Sequence, residues 1–207
     1  MPFLERLREI CSKHGILLIF DEVITGFGRL GKPFASQYFG VEPDLTTFAK
    51  AITNGAVPMG GVLVDHKIYE SFMIGPPHAI EFFHGYTYSG HPLAVAAGHA
   101  TLNAMRDEGL IERAAELAST LENAVHLLRD EPHVADIRNI GLSAAVELEP
   151  DATQPGARGL RVLERGLEEG LLLRVTGDII SLAPPFISTP DEIHAMIESL
   201  RRTLRAA

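Results

Sequence analysis

An aspartate and a lysine stand 29 positions apart, each in a setting suited to chemistry. Asp21 closes the apolar run Ile16-Leu17-Leu18-Ile19-Phe20 and leads into Glu22-Val23-Ile24-Thr25-Gly26-Phe27-Gly28-Arg29. Lys50 lies between Phe48-Ala49 and Ala51-Ile52, in the stretch from Pro43-Asp44-Leu45 to Thr53-Asn54-Gly55. A lysine among apolar neighbours can form an imine with an aldehyde cofactor, and an acid at a strand end can hold a proton on that cofactor's ring. Taken singly, each residue has a plainer reading: an aspartate capping a turn, a lysine on a surface.

The surrounding pattern supplies elements that would position the pair. Phe3, Leu4, Leu7, Ile10 and Cys11 recur at helical spacing over residues 3–12. Gly15 is placed to end that helix. The uninterrupted run Ile16 to Phe20 reads as a strand buried on both faces, which makes helix plus strand half of a parallel α/β unit. Asp21 then falls at the carboxyl end of the strand, where open α/β sheets bind ligands. A loop with Gly26, Gly28 and Gly31 follows; Thr46 to Ala49 and Gly60 to Val64 read as further strands. His91 to Met105 reads as a helix with Pro92 in its first turn.

Composition shifts near Asp107-Glu108-Gly109. Beyond it the spacing predicts a charged amphipathic helix to about residue 130, then strand, turn at Gly141 and strand over Val134 to Leu148. Leu160, Leu163 and Leu167 mark another helix. Leu171 to Val175 and Ile179 to Leu182 flank Gly177-Asp178, a dipeptide suited to a two-residue hairpin turn. Thr189-Pro190-Asp191-Glu192 has the form of a capping box opening a last helix. The division expected is residues 1–106, parallel α/β, and 107–207, a smaller α+β unit.

Bulk properties narrow the function classes. A net charge of −9 and a pI near 5.4 argue against a nucleic-acid binder or adhesion to an anionic membrane. No apolar stretch approaches the roughly 20 residues of a membrane helix, and Met1 to Arg6 lacks the form of a signal peptide. Cys11 is the single cysteine, which makes a reducing, cytoplasmic compartment the default and the thiol itself a core residue. The nine histidines form no HxxxH or Cys/His cluster, so no metal site is expected.

With these segments assembled, the chain resembles the class III aminotransferases, pyridoxal-phosphate enzymes of fold type I. The segments that carry the resemblance are Leu18 to Arg29, Pro43-Asp44-Leu45, Ala49 to Gly55 and His84 to Pro92. A fifth, Gly170 to Arg174 continuing through Gly177-Asp178 to Pro184-Pro185, is similar to the ω-amino acid:pyruvate branch. The fold implied is the C-terminal part of the parallel-sheet large domain plus the small α+β domain. The chain begins about where the family's second half does, so the family's Gly-Ser phosphate loop and ring-stacking aromatic lie outside it.

The resemblance implies roles residue by residue. Lys50 binds the cofactor aldehyde covalently and later moves the substrate proton, and Asp21 pairs with the protonated ring nitrogen. Val23 packs on the ring. Thr87 hydrogen-bonds the cofactor phosphate from a neighbouring subunit, and Arg174 takes the substrate carboxylate. Glu22 receives no chemistry, and Arg29 a structural or interface role. The reaction implied transfers an amino group from an amino acid or amine to a keto acid such as pyruvate. The partners implied are an identical chain or the missing N-terminal half. Other readings share the acid and the lysine: an aminomutase or decarboxylase on the same scaffold, or a non-catalytic dimerising fragment. A Schiff-base aldolase needs an eightfold βα pattern that is absent.

Overall fold

A computed structural model describes residues 3–78, 82 and 84–206, and the chain divides into two compact units. One comprises the residues up to Phe27 together with Lys32–Gly109; the other comprises Gly28–Gly31 and everything from Leu110 onward.

The first unit opens with helix α1, Phe3–His14, and strand β1, Ile19–Asp21. Helix α2, Ala35–Phe39, precedes strand β2, Leu45–Ala49, which runs directly into a 3-10 turn, Lys50–Thr53. Strand β3, Gly60–Val64, helix α3, His66–Phe72, and helix α4, Pro92–Asp107, complete it. The sheet order is β1-β2-β3. β1 and β2 are parallel, whereas β3 runs antiparallel to β2. The sheet is therefore mixed rather than wholly parallel, because β2 returns through a short turn instead of a helical crossover.

Helix α1 covers one face of this sheet. Cys11, Leu18 and Val41 are buried together, with Leu4, Leu7 and Phe20 packed against them. The Asp44 carboxylate ties helix to sheet: it accepts from the Leu18 N–H at 2.6 Å and from the Arg8 guanidinium at 2.7 Å. The opposite face is open. Ile19, Val62 and Val64 are 57%, 50% and 44% exposed, and Leu17 at the start of the strand is 56% exposed. The expectation of burial on both faces is thus corrected. An apolar run signals that a strand is built to be covered, and here α1 covers one side only.

The second unit begins with Gly28–Gly31 and continues with α5, Leu110–His126, β4, Val134–Asn139, and β5, Ala144–Leu148. Helix α6, Ala157–Glu168, strands β6, Arg174–Thr176, and β7, Ile179–Leu182, and helix α7, Pro190–Ala206, follow. Its sheet is antiparallel throughout, in the order β4-β5-β7-β6. Alternate residues of β5, Ala144, Val146 and Leu148, meet Leu117, Leu121 and Val125 of α5 and Ile193, Ile197 and Leu200 of α7 in one continuous core. The capping box forms as expected. The Thr189 hydroxyl accepts from the Glu192 N–H at 3.2 Å, and the Glu192 carboxylate accepts from the Thr189 N–H at 2.8 Å.

Arg29 fixes the 28–31 segment within this second unit. Its Nη1 donates to the carbonyls of Leu142 and Pro184, at 3.0 and 2.8 Å, and its guanidinium lies 4.6 Å from the Phe186 ring centroid. Burial pushes the guanidinium below its ordinary pKa. Two glycines permit the close approach. A Cβ on Gly31 would meet Ala115 at 2.6 Å, and one on Gly141 would fall 2.6 Å from the Leu30 Cα; both have positive φ. The structural role expected of Arg29 is the one these bonds describe.

Candidate active site

The first unit brings Asp21 and Lys50 to the carboxyl ends of neighbouring parallel strands. Asp21 ends β1 opposite Thr47 of β2, and Lys50 lies three residues beyond Thr47, immediately past the end of β2. The register places Asp21, Thr47 and Val62 in one row across the sheet. Side chains in one row share a face, and here that face is the open one.

Asp21 is held through a single oxygen. Its Oδ1 accepts from the Val23 N–H at 3.1 Å and from the Thr47 hydroxyl at 3.2 Å. Its Oδ2 has no hydrogen-bond partner among the described residues, so an oriented, exposed anion remains for a cationic N–H. Val23 is half-buried and contributes its amide to that orientation.

Lys50 has a left-handed backbone, φ 52°, and follows an extended Ala49. For a residue with a side chain this conformation costs about 1–2 kcal/mol. Such strain concentrates at functional positions. The local reason is a sharp change of direction: the chain leaves β2 and enters the 3-10 turn, which Ile52 and Thr53 anchor by burial. The apolar flanks therefore serve the turn, while Lys50 itself is exposed. Its ammonium has no ion-pair partner among the described residues.

Glu22, to which the sequence assigned no chemistry, is the most buried charged residue of this unit among the described residues, at 1% exposure. Its carboxylate accepts from the N–H groups of Ala35 and Ser36, at 2.5 and 2.8 Å, and from the Thr25 hydroxyl at 3.0 Å. The Glu22 N–H donates to the Thr47 carbonyl at 2.9 Å. Glu22 thus folds the loop after Asp21 back onto α2 and keeps the end of β1 beside β2. Phe27 packs against Phe34 in a tilted arrangement and against Phe48 edge-to-face, which seals the loop. The only signal in the sequence was an acid directly after Asp21. Its amide partners lie 13 and 14 residues away, beyond any local spacing rule.

Thr87 is exposed in the turn from Tyr86 to Gly90 that precedes α4. Together with Ser89, Gly90, His91 and Met59 it lines a cleft of about 680 Å³. Asp21 and Lys50 do not line this cleft, so Thr87 is not brought together with them in this way.

Arg174 opens β6 in the second unit, paired with Ser181 of β7, and is exposed. Its guanidinium has no side-chain or carbonyl partner among the described residues. The hairpin that carries it is anchored by Asp178, whose carboxylate accepts from the N–H groups of Gly159 and Gly156 at 2.9 and 2.8 Å. Those amide bonds, Gly159 first, hold the Asp178 carboxyl below its ordinary pKa. Among the described residues no three His, Cys, Asp or Glu side chains gather as a metal site. No described helix is long and apolar enough to cross a membrane.

A model of the family described as aminotransferase class-III matches residues 1–204. The chain is 57% identical over 202 residues to an omega-aminotransferase of Caulobacter vibrioides, covering 98% of this chain and 46% of the relative. It is 45% identical over 204 residues to a beta-alanine–pyruvate aminotransferase of Pseudomonas aeruginosa, again covering 98% and 46%. Among solved structures, an omega-transaminase from Thermomicrobium roseum superposes with a TM-score of 0.91 at 37% identity, covering 99% of this chain and 46% of that one. The chain spans about half the length of the curated relatives it matches. Enzymes of this family depend on pyridoxal phosphate. By the extent of the match and the identity of its relatives, the chain belongs to the class-III aminotransferase family.

Proposed function

We propose that this chain is part of a pyridoxal-phosphate-dependent transaminase that moves an amino group from an amino acid or amine to a keto acid such as pyruvate. The observation that carries the reading is the pairing of Asp21 and Lys50 at adjacent strand ends, with Lys50 in a strained left-handed backbone. The residues present fit the cofactor: an oriented carboxylate with one uncommitted oxygen, a lysine without an ion-pair partner, and a hydroxyl in a cleft beside a helix start.

When bound, the cofactor supplies a cationic ring that accepts electrons from the substrate Cα–H bond. The chain's own residues hold and move protons around it. Asp21 keeps a proton on the ring nitrogen, with Thr47 and the Val23 amide aiming its carboxylate. Val23 bounds one face of the ring. Lys50 anchors the cofactor and serves as the base that takes the Cα proton. Thr87 of a neighbouring subunit would donate its hydroxyl to the phosphate, and Arg174 would offer a two-pronged guanidinium to the substrate carboxylate. Residues 1–106 act as the C-terminal part of the cofactor-binding large domain, and 107–207 as the small domain. The working assembly is a homodimer, or a complex with the rest of the fold, in the cytoplasm.

The test is reductive trapping. Incubation with pyridoxal phosphate and borohydride, followed by peptide mapping, is expected to label Lys50 and to leave Lys50→Ala unlabelled. Label spread evenly over other lysines, or none at all, counts against the reading. A non-catalytic role for the isolated chain is favoured by the small core of the first unit; measurable amine transfer to pyruvate by the chain alone removes it.

A further inference from the structure

We infer that Thr53 is a positioning residue for Lys50: its buried hydroxyl holds the lysine's backbone in the left-handed conformation from which the amine is presented. The identity of Lys50 as the reacting amine is taken from the proposed function.

The strand pair fixes where the segment starts and ends. Ala49 of β2 partners Gly60 of β3, so residues 50–59 form a closed loop between them. Lys50, Asn54 and Gly55 in this loop have positive φ, at 52°, 51° and 75°. Glycine adopts this region at no steric cost, and asparagine tolerates it. Lysine has no such freedom, so its conformation is imposed by the rest of the loop.

Thr53 is equipped to impose it. It is 2% exposed, the most buried hydroxyl-bearing residue of the first unit among those described. Its Oγ1 donates to the Val57 carbonyl at 2.5 Å, and its own carbonyl accepts from the Ala56 N–H at 3.0 Å. These two bonds close the far part of the loop, while the Ala49–Gly60 pair closes its base. Lys50 is the first residue of the 3-10 turn and Thr53 the last, so the lysine lies between two fixed points. The acceptor belongs to the candidate site as well, because Val57 lines the same cleft as Thr87. One hydroxyl therefore ties the lysine turn to the wall of that cleft. Its removal leaves the Val57 carbonyl without this donor and frees Lys50 to relax to a negative φ.

The experiment compares Thr53→Val, which removes the hydroxyl, with Thr53→Ser, which keeps it. Leu18→Ala weakens the same unit through the α1 cluster and is the control for lost stability. Two readouts are taken on the 207-residue chain. The first needs no cofactor. A positive φ brings the Lys50 amide proton close to its own Hα and gives a strong intraresidue nuclear Overhauser effect. That signal is expected in the unaltered chain, in Thr53→Ser and in Leu18→Ala. In Thr53→Val it is expected to weaken to the level of Lys13 in α1. The second readout is borohydride trapping of pyridoxal phosphate, with Lys13, Lys32 and Lys67 as references within the same molecule. The share of label at Lys50 is expected to fall about five- to thirtyfold in Thr53→Val, the factor that the backbone strain represents. It is expected to hold in the other two variants. An undiminished Overhauser effect in Thr53→Val, an equal loss in Leu18→Ala, or no rescue by Thr53→Ser overturns the inference. So does an undiminished share of label in Thr53→Val when the unaltered chain labels at Lys50. If the unaltered chain shows no preference for Lys50, the proposed chemistry fails by itself, and the Overhauser effect alone decides whether Thr53 holds the turn.

Discussion

The two units have similar lengths and opposite economies of burial. In the second, nineteen apolar residues among those described, from Ala114 to Leu204, share one core, and its sheet is covered by its own helices. In the first, the corresponding cluster has three members, and strand residues such as Ile19 and Val62 face outward. Yet the first unit carries the acid, the lysine and the strained backbone. The second is built to persist by itself and to hold Arg174 out on an anchored hairpin. The first buries less, and its polar arrangement at the strand ends is kept in shape by hydrogen bonds rather than by bulk packing.

This contrast is easiest to break with cavities. Leu121→Ala removes a side chain with no exposed surface and is expected to cost the second unit about 3–5 kcal/mol in urea unfolding. Leu18→Ala, in the small cluster, is expected to cost less than half as much, because its neighbours can relax into the gap. Equal losses would show that the first unit has a core its burial pattern does not reveal.

Hydrogen bonding sharpens the other side. Glu22→Ala leaves the Ala35 and Ser36 amides without their carboxylate, and each buried unpaired donor costs about 1–3 kcal/mol. The expected loss is about 2–3 kcal/mol in the first unit, with faster amide exchange at 35 and 36. An unaltered exchange rate there would mean that the loop does not depend on this residue. In the second unit, Gly159→Ala pushes a methyl into the Gly177 carbonyl and is expected to cost about 2 kcal/mol by overpacking. Thermal unfolding of the variant checks it.

The smallest effect expected is one of pH. Because the Asp178 pKa is depressed in the folded state, its contribution is present above the ordinary aspartate range, near 4, and disappears as pH falls through the lower folded value. Asp178→Asn is expected to flatten the acid limb of the second unit's stability curve. Asp44, held low first by the Leu18 amide and then by Arg8, is expected to do the same for the first. An acid limb unchanged in both variants would assign the pH response elsewhere.

Much of the fold was legible because its signals are local. The helices, the Gly177 turn at φ 59° and the Thr189 capping box all rest on residues close in sequence and form as read, although Phe3 and Ile10 of α1 and Leu160 and Leu167 of α6 face solvent rather than the core. Asp21 at a strand end and Lys50 just past the next strand were legible for the same reason. What escaped were facts set by distant partners. The run Ile16 to Phe20 states that burial is wanted, but not which layer provides it. The direction of β3 depends on the short turn out of β2. Lys50 is exposed although its neighbours are apolar, because those neighbours anchor a turn. The role of Glu22 depends on amides that no periodicity connects to it.

One consequence concerns where this chain can be cut. Gly28–Gly31 reaches the second unit before that unit's main run begins at Leu110, and Arg29 is stapled there by two carbonyls and an aromatic ring. A gene fragment starting at residue 110 therefore encodes a protein with a tetrapeptide-shaped hole in it. Swapping small domains between relatives at that junction would transplant a lock without its key, unless the recipient's own Gly-Arg-Leu-Gly segment fits the imported groove.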